Sequence, residues 1–549
     1  MTGGLRTTSR HLLAAASFIG LLAIGLPEAK AQDLKAIQSQ IDSMQATIKA
    51  LQKQVQDAKA QAAAAQTTAA DAKGSASDID LKVAWKGAPQ FSSGDGKKFQ
   101  FKIRGRVEAE YENINQDTAV TTYPDVSATQ LRRARIGVEG VVYYDVKYII
   151  EVDFANDAVA VKDAYLQYQG VKIGDTPLLF RAGNFRTPNS FELLTSELFV
   201  DTVERAAFVN SWQLDRQIGF QVSYWTDHWG LAAGVFGDRF NAANNPQPLF
   251  PGFTGDEDLT FAARGTVAPI NRQVNGVNQV LHFGASVRTR EIGDDQPLIQ
   301  YTQRGADFNL ANNVINTGRI GKEDTFWGLE AAGLVGPFSI QGEYSHLDVD
   351  LPTSPLIGAN PPGSAQLTTA ANPFISPTGV RTPSPEYDGW YVTGTWFFGG
   401  HKNYNKEGKW DRPSIDNPLR WNEGKGWGAV ELVGKYDVLN MSDKAFNDAG
   451  SNGCQTTRLY PNLAANTAVS PNSVVASSLG LCGEQRTWIV GVNWYLNDYV
   501  RLMFDYAEAE LSGYPLTTVK AGTSLAPATI AGFDGGTIRG FTARAQIDW

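Results

Sequence analysis

Residues 99–111 read FQFKIRGRVEAEY, and their side chains fall into two rows. Phe99, Phe101, Ile103, Gly105, Val107, Ala109 and Tyr111 alternate with Gln100, Lys102, Arg104, Arg106, Glu108 and Glu110. A strand turns successive side chains to opposite faces, so this stretch has one apolar face and one densely charged face. A soluble sandwich would bury the apolar row. A closed barrel in a bilayer would give that row to lipid and keep the charged row around an aqueous lumen.

The pattern recurs along the chain. Val146, Tyr148, Ile150, Val152 and Phe154 alternate with Lys147, Glu151 and Asp153; Leu281, Phe283, Ala285 and Val287 alternate with His282, Ser286, Arg288 and Arg290. Trp488, Val490, Val492, Trp494 and Leu496 repeat it late in the sequence. Composition favours the barrel. The 549 residues include 54 Gly and 59 Phe, Tyr or Trp, yet mean hydropathy is −0.25. Helical membrane proteins need apolar runs of about 20 residues, and none follows residue 30. Disorder is excluded by 42% hydrophobic residues.

About sixteen strand segments can be counted, starting near Phe99, Thr129, Tyr144, Val161, Leu178, Gln217, Gly230, Leu259, Val280, Thr325, Phe338, Gly389, Gly426, Thr487, Tyr499 and Arg539. An even count suits a bacterial single-chain barrel, and so does the alternation of long polar intervals with short turns. Long intervals (186–216, 291–324, 347–388, 437–486, 511–537) follow odd-numbered strands and read as extracellular loops. The interval Gly399–Lys425 breaks the rule, being long and basic on the periplasmic side. The last strand alternates Phe541, Ala543, Ala545, Ile547 and Trp549 with polar residues, and a terminal aromatic resembles the assembly signal of outer-membrane barrels. The fold class is therefore all-β: a 16-stranded antiparallel transmembrane barrel over residues 99–549.

Ahead of the barrel, Arg6 and Arg10 precede the apolar run Leu12–Leu26, and Ala29-Lys30-Ala31 supplies small residues at a cleavage site. Residues 1–31 read as a secretory signal peptide. Its removal takes away three basic side chains and one acidic one, moving the net charge from −9 to −11. No basic face dominates, which argues against nucleic-acid binding. Residues 32–75 carry apolar positions from Leu34, Ile37, Ile41, Met44 and Ile48 through Leu51, Val55 and Ala58 to Ala72, at alternating spacings of three and four. That 3.5-residue repeat predicts a short coiled coil, self-associating or reaching toward the cell wall. Residues 76–98 read as a polar linker.

Cys454 and Cys482 share one extracellular interval and are expected to form a disulfide in an exported chain. The four histidines outside the signal (His228, His282, His346, His401) lack metal-ligand spacing. No nucleophile elbow, phosphate loop or dinucleotide fingerprint occurs, so neither enzyme activity nor a cofactor is expected.

The run Leu131-Arg132-Arg133-Ala134-Arg135-Ile136-Gly137-Val138-Glu139-Gly140, with Phe101–Arg106, Trp327–Glu330 and Gly491–Tyr495, resembles the phosphate-selective porin O/P family across the whole barrel. The resemblance implies a homotrimeric outer-membrane channel of a Gram-negative bacterium, embedded in outer-membrane lipid, in which arginines line a narrow waist and some loops fold inward. It implies that Arg106, Arg132 and Arg133 line the pore, and that Arg264, in Ala263-Arg264-Gly265, matches a family pore arginine. In the family the segment equivalent to Gly399–Lys425 folds back into the pore with a basic residue, for which Lys409 is the candidate.

Parity independently turns Arg104, Arg106, Arg133 and Arg135 inward. Arg132 has the wrong parity. An arginine facing lipid at mid-membrane costs about 2–4 kcal/mol, so a β-bulge is expected there. Arginine stays charged and offers phosphate oxygens a planar fork of donors. Glu108, Glu110, Glu139, Glu151 and Asp153 are inward too and would partly cancel that field. Where phosphate-specific relatives carry lysines, this chain has Phe191–Leu198, which contains Glu192 and Glu197. The expected function is passive passage of small anions, inorganic phosphate among them. A general or cation-leaning porin and a structural envelope barrel are the alternatives.

Overall fold

A computed structural model describes residues 31–75, 81–85, 87–116, 124–157, 159–237, 258–292, 299–351, 384–442, 483–512, 514–515, 532–533 and 536–549. The signal segment and both cysteines lie outside the described residues. The chain divides into two units, residues 1–80 and 81–549. In the first, Ala31–Ser75 is one α-helix of 45 residues with no proline and no glycine before Gly74. Along its seam Met44, Ile48, Leu51 and Val55 are all more than half exposed.

In the second unit sixteen antiparallel strands close into a barrel. They are β1 (Phe99–Gln116), β2 (Val126–Val142), β3 (Val146–Asp153), β4 (Ala160–Tyr168), β5 (Thr176–Arg186), β6 (Arg216–Trp225), β7 (Trp229–Gly237) and β8 (Leu259–Val274). The remainder are β9 (Val277–Glu291), β10 (Glu323–Val335), β11 (Phe338–Asp350), β12 (Glu386–Phe398), β13 (Ala429–Asn440), β14 (Glu484–Asn497), β15 (Val500–Ser512) and β16 (Gly536–Asp548). Every strand starts within three residues of the position expected from periodicity. Closure pairs β16 with β1, from Ile538 opposite Gln116 to Asp548 opposite Arg106. Trp549 extends the seam by exchanging backbone hydrogen bonds with Gly105. A Cβ at residue 105 would meet the Trp549 ring at 2.2 Å, which explains the glycine in this row. Residues 81–93, within the expected linker, form a hairpin of Leu81–Trp85 and Pro89–Ser93 that pairs with the start of β1, where Phe91 packs on Phe101.

The outward face carries the apolar row and two aromatic belts. Trp390 contacts Tyr436, Trp488 contacts Tyr506, and Trp327 contacts Tyr344 in one belt; Phe338 and Trp396 stack in the other. On both β12 and β14 the belts are six residues apart (Trp390 to Trp396, Trp488 to Trp494). At about 3.3 Å per residue that is roughly 20 Å along a strand, a span fitted to a thin apolar band between two interfacial girdles.

Among the described residues, three segments fold into the lumen. The loop between β5 and β6 enters from the extracellular side with two short helices, Phe191–Leu194 and Ala207–Trp212. The Glu343 carboxylate on β11 accepts from the Phe191 and Glu192 amides, Asp437 on β13 accepts from Ala207, and Asp505 on β15 accepts from Val203. Between β9 and β10, a hairpin of Ile299–Arg304 and Asn313–Gly321 packs beside it. From the periplasmic side comes a hairpin of Gly400–Asn405 and Lys409–Ile415.

A buried apolar cluster joins the first two inserts to the wall from β10 to β16. Leu193, Phe208 and Trp212 of the loop and Tyr301 and Ile315 of the hairpin pack with Phe326, Leu347, Val349, Tyr387, Leu439 and Ile538. Here the alternation is inverted. On β11, Leu347 and Val349 are buried inside while His346 and Asp348 face out, because these strand ends cover inserted loops rather than water.

Candidate functional site

Opposite the packed half, a cavity of about 540 Å³ lies against β16 and β1–β6, bounded by the inserted loop and the periplasmic hairpin. Among the described residues, eight cationic and seven acidic side chains line it. The wall supplies Arg104 and Arg106 from β1 and Arg181 and Arg186 from β5; the hairpin supplies Lys409 and Arg412.

The hairpin reaches this position through a buried latch. At its tip, Gly408 adopts φ +71°, a left-handed conformation that favours glycine. Arg264 on β8 donates to the Glu407 carbonyl at 2.9 Å and the Gly408 carbonyl at 2.5 Å, while its guanidinium is paired with Glu330. His282 bridges Glu330 and the Tyr404 hydroxyl. Farther along, Trp410 meets Phe191 edge-on, and Lys402 pairs with Asp201 and Glu431, so the hairpin and the extracellular loop touch inside the barrel. Beside Lys409, at 2.6 Å, the Glu407 carboxyl is held down at about 2 by that ammonium.

Nearly every cavity cation is matched by a carboxylate. Arg104 pairs with Glu139 at 3.0 Å and Glu151 at 3.2 Å, Arg216 with Asp163 and Asp215, and Arg412 with Asp548. Arg181 differs. Its guanidinium bonds the neutral Gln167 side chain at 2.7 and 2.9 Å and lies over the Tyr165 ring, with no carboxylate within 4.0 Å among the described residues.

The remaining arginines named from sequence are placed elsewhere. The β1–β2 register slips so that Glu108 faces Arg133 and Ala109 faces Leu131, making Arg132 the bulged residue. Arg132 turns inward and grips both oxygens of Glu204 on the inserted loop. Arg133 binds Glu108 at 2.5 Å, and Arg135 binds Asp153 at 2.8 Å and Glu151 at 3.3 Å. All three sit between the wall and the loop, outside the cavity lining. Arg264 lies under the hairpin tip and is fully buried.

Periodicity reading missed Arg181, Arg186, Arg205, Arg216 and Arg544. Inward parity was available for Arg544, which alternates with the apolar row of the last strand, but its partners Glu108, Glu110 and Glu204 come from distant segments. Glu197 is the least legible member of the site. Four guanidiniums converge on its carboxylate: Arg186, Arg106 at 3.2 Å, Arg205 at 3.5 Å and Arg135 at 3.7 Å. Burial alone would push this carboxyl up; Arg186, Arg135 and Arg205 overcome that and hold it well below the usual carboxylate range. On the outward face, His346 and Asp348 of β11 and Glu386 of β12 each bring a ligand atom within 4.8 Å of the others, Glu386 being distant in sequence from the other two.

Among solved structures, the anion-selective porin from Comamonas acidovorans matches over 82% of this chain and 100% of its own, with a TM-score of 0.42 and 11% identity. Pseudomonas aeruginosa OpdO gives 0.33 at 11% identity, over 82% of this chain and 97% of its own. Superpositions this loose leave the fold to rest on the strand pairing described above. Sequence similarity reaches further. Porin O of Pseudomonas aeruginosa is 26% identical over 465 residues, covering 78% of this chain and 87% of that protein. A Caulobacter vibrioides protein is 25% identical over 436 residues, 79% of this chain and 72% of its own. Residues 101–524 match the family described as phosphate-selective porin O and P. The chain belongs to that family and is an outer-membrane porin.

Proposed function

We propose that the protein is a passive channel for small anions, inorganic phosphate among them, whose anions travel along the β1–β6 wall. The observation that carries this reading is the cavity lining, where cations outnumber acids by eight to seven in a chain whose net charge is −9. The arginines are fixed by their carboxylates, yet each fork has more donors than its partner uses. A permeating anion can therefore be handed between sites that hold it weakly, as conduction requires. Arg181, paired with neutral Gln167, is the cation with charge to spare. The resemblance to a phosphate-selective family supports the same substrate class.

The near balance of charges also favours a second reading, a general diffusion porin. One recording separates them. With purified protein in planar bilayers under a tenfold KCl gradient, the anion channel gives a reversal potential on the chloride side of zero. A potential at zero supports the general porin, and one on the potassium side overturns the anion assignment. For the arm, the exposed seam Met44, Ile48, Leu51 and Val55 supports self-association as a periplasmic coiled coil of a trimeric porin.

A further inference from the structure

The Glu197 carboxylate has the surroundings of a bound anion. Its partners come from four separate places: Arg106 on β1, Arg135 on β2, Arg186 at the end of β5 and Arg205 farther along the inserted loop. Arg205 is held in place by the carbonyls of Glu192 and Thr195, and Arg186 by Asp215 and the Thr195 carbonyl. The guanidiniums are thus fixed by other contacts as well as by Glu197. The carboxylate also borders the cavity, with Ser196 and Leu198 beside it; Arg106 and Arg186 line the same space, whereas Arg135 and Arg205 do not. Guanidinium forks donate to carboxylate and phosphate oxygens in the same geometry. A group tethered on the loop competes at a high effective concentration.

We propose that Glu197 is a tethered anion occupying an oxyanion site formed by Arg106, Arg135, Arg186 and Arg205, and that it sets the channel's affinity for tetrahedral oxyanions. With the carboxylate in place, phosphate meets an occupied site and passes with little retention. Removing the charge opens a four-arginine site to phosphate or sulfate. The proposal deepens the anion-channel reading and rests on it.

The test is block of chloride current by inorganic phosphate, recorded for the wild type, Glu197→Gln and Glu197→Asp. Glu197→Gln is expected to lower the phosphate concentration for half block at least tenfold, and added acetate to reverse that gain by refilling the site. Glu197→Asp, which keeps the charge on a shorter stem, falls between the two. Glu139→Gln removes another cavity carboxylate outside the four-arginine cluster; it is expected to shift the reversal potential while leaving half block within twofold. Equal half block in the wild type and Glu197→Gln overturns the proposal. So does an equal gain from Glu139→Gln, which would reveal a diffuse field rather than a site. If Glu197→Gln yields no folded channel, Glu197→Asp decides alone, an unchanged half block counting against the site. A cation-selective wild type would overturn the channel reading by itself, whereas the block comparison judges Glu197 separately.

Discussion

The two halves of the lumen solve different problems with the same wall. From β10 to β16 the inner face meets Phe208, Trp212 and Tyr301 and is packed like a protein core. From β1 to β6 it meets a cavity of about 540 Å³ bordered by ion pairs. The inserted loop serves both. Its helical parts dock on the packed half through Glu343 and Asp437, while its Glu197 and Glu204 face the arginines. The comparison teaches that one inserted loop can be packed as a core on one side and border an open, charged space on the other. Apolar burial and carboxylate–amide hydrogen bonds hold the loop on the packed side, and ion pairs from Glu197 and Glu204 hold it on the charged side.

The largest effect that would break this division is expected from Trp212→Ala. Trp212 is 2% exposed, donates to Ser345 at 2.8 Å, and its carbonyl accepts from Arg288. Truncating a buried aromatic costs about 3–5 kcal/mol. The loop should detach from the packed half, lowering the urea midpoint and raising single-channel conductance several-fold; unchanged conductance would mean that the loop is held from the charged side.

A smaller effect is expected at the hairpin. Arg264→Lys keeps a charge beside Glu330 but loses the fork that reaches the Glu407 and Gly408 carbonyls. Hydrogen bonds from charged groups are worth about 1.5–3 kcal/mol. Open-channel noise and proteolysis at Lys406 and Lys409 should increase, with little change in the urea midpoint. A quiet, protease-resistant channel would show that Trp410 and Lys402 suffice to seat the hairpin.

The barrel was legible because its rule is local. Period-2 alternation requires nothing beyond neighbouring residues, and all sixteen strand starts follow from it. The bulge at Arg132 was legible for the same reason, as a parity conflict in a known register. The packed half was hidden because inward Leu347 and Val349 obey the inverse rule, and only the inserted loops explain it. The site was half legible. Inward parity finds Arg104 and Arg106, but no spacing links Glu197 to arginines 91 residues earlier and 62 residues earlier in the chain. Pairing across the lumen is a tertiary property, so the sequence shows the cations and conceals how thoroughly they are neutralised.

The most direct test of the claim that current follows the β1–β6 wall is the reversal potential of Arg181→Glu under a salt gradient. Arg181 lines the cavity and anchors no carboxylate within 4.0 Å among the described residues, so its reversal alters the field without dismantling an ion-pair network. The account predicts a shift away from chloride toward potassium at near-normal conductance. An unchanged reversal potential would contradict it, placing the conducting path elsewhere in the lumen.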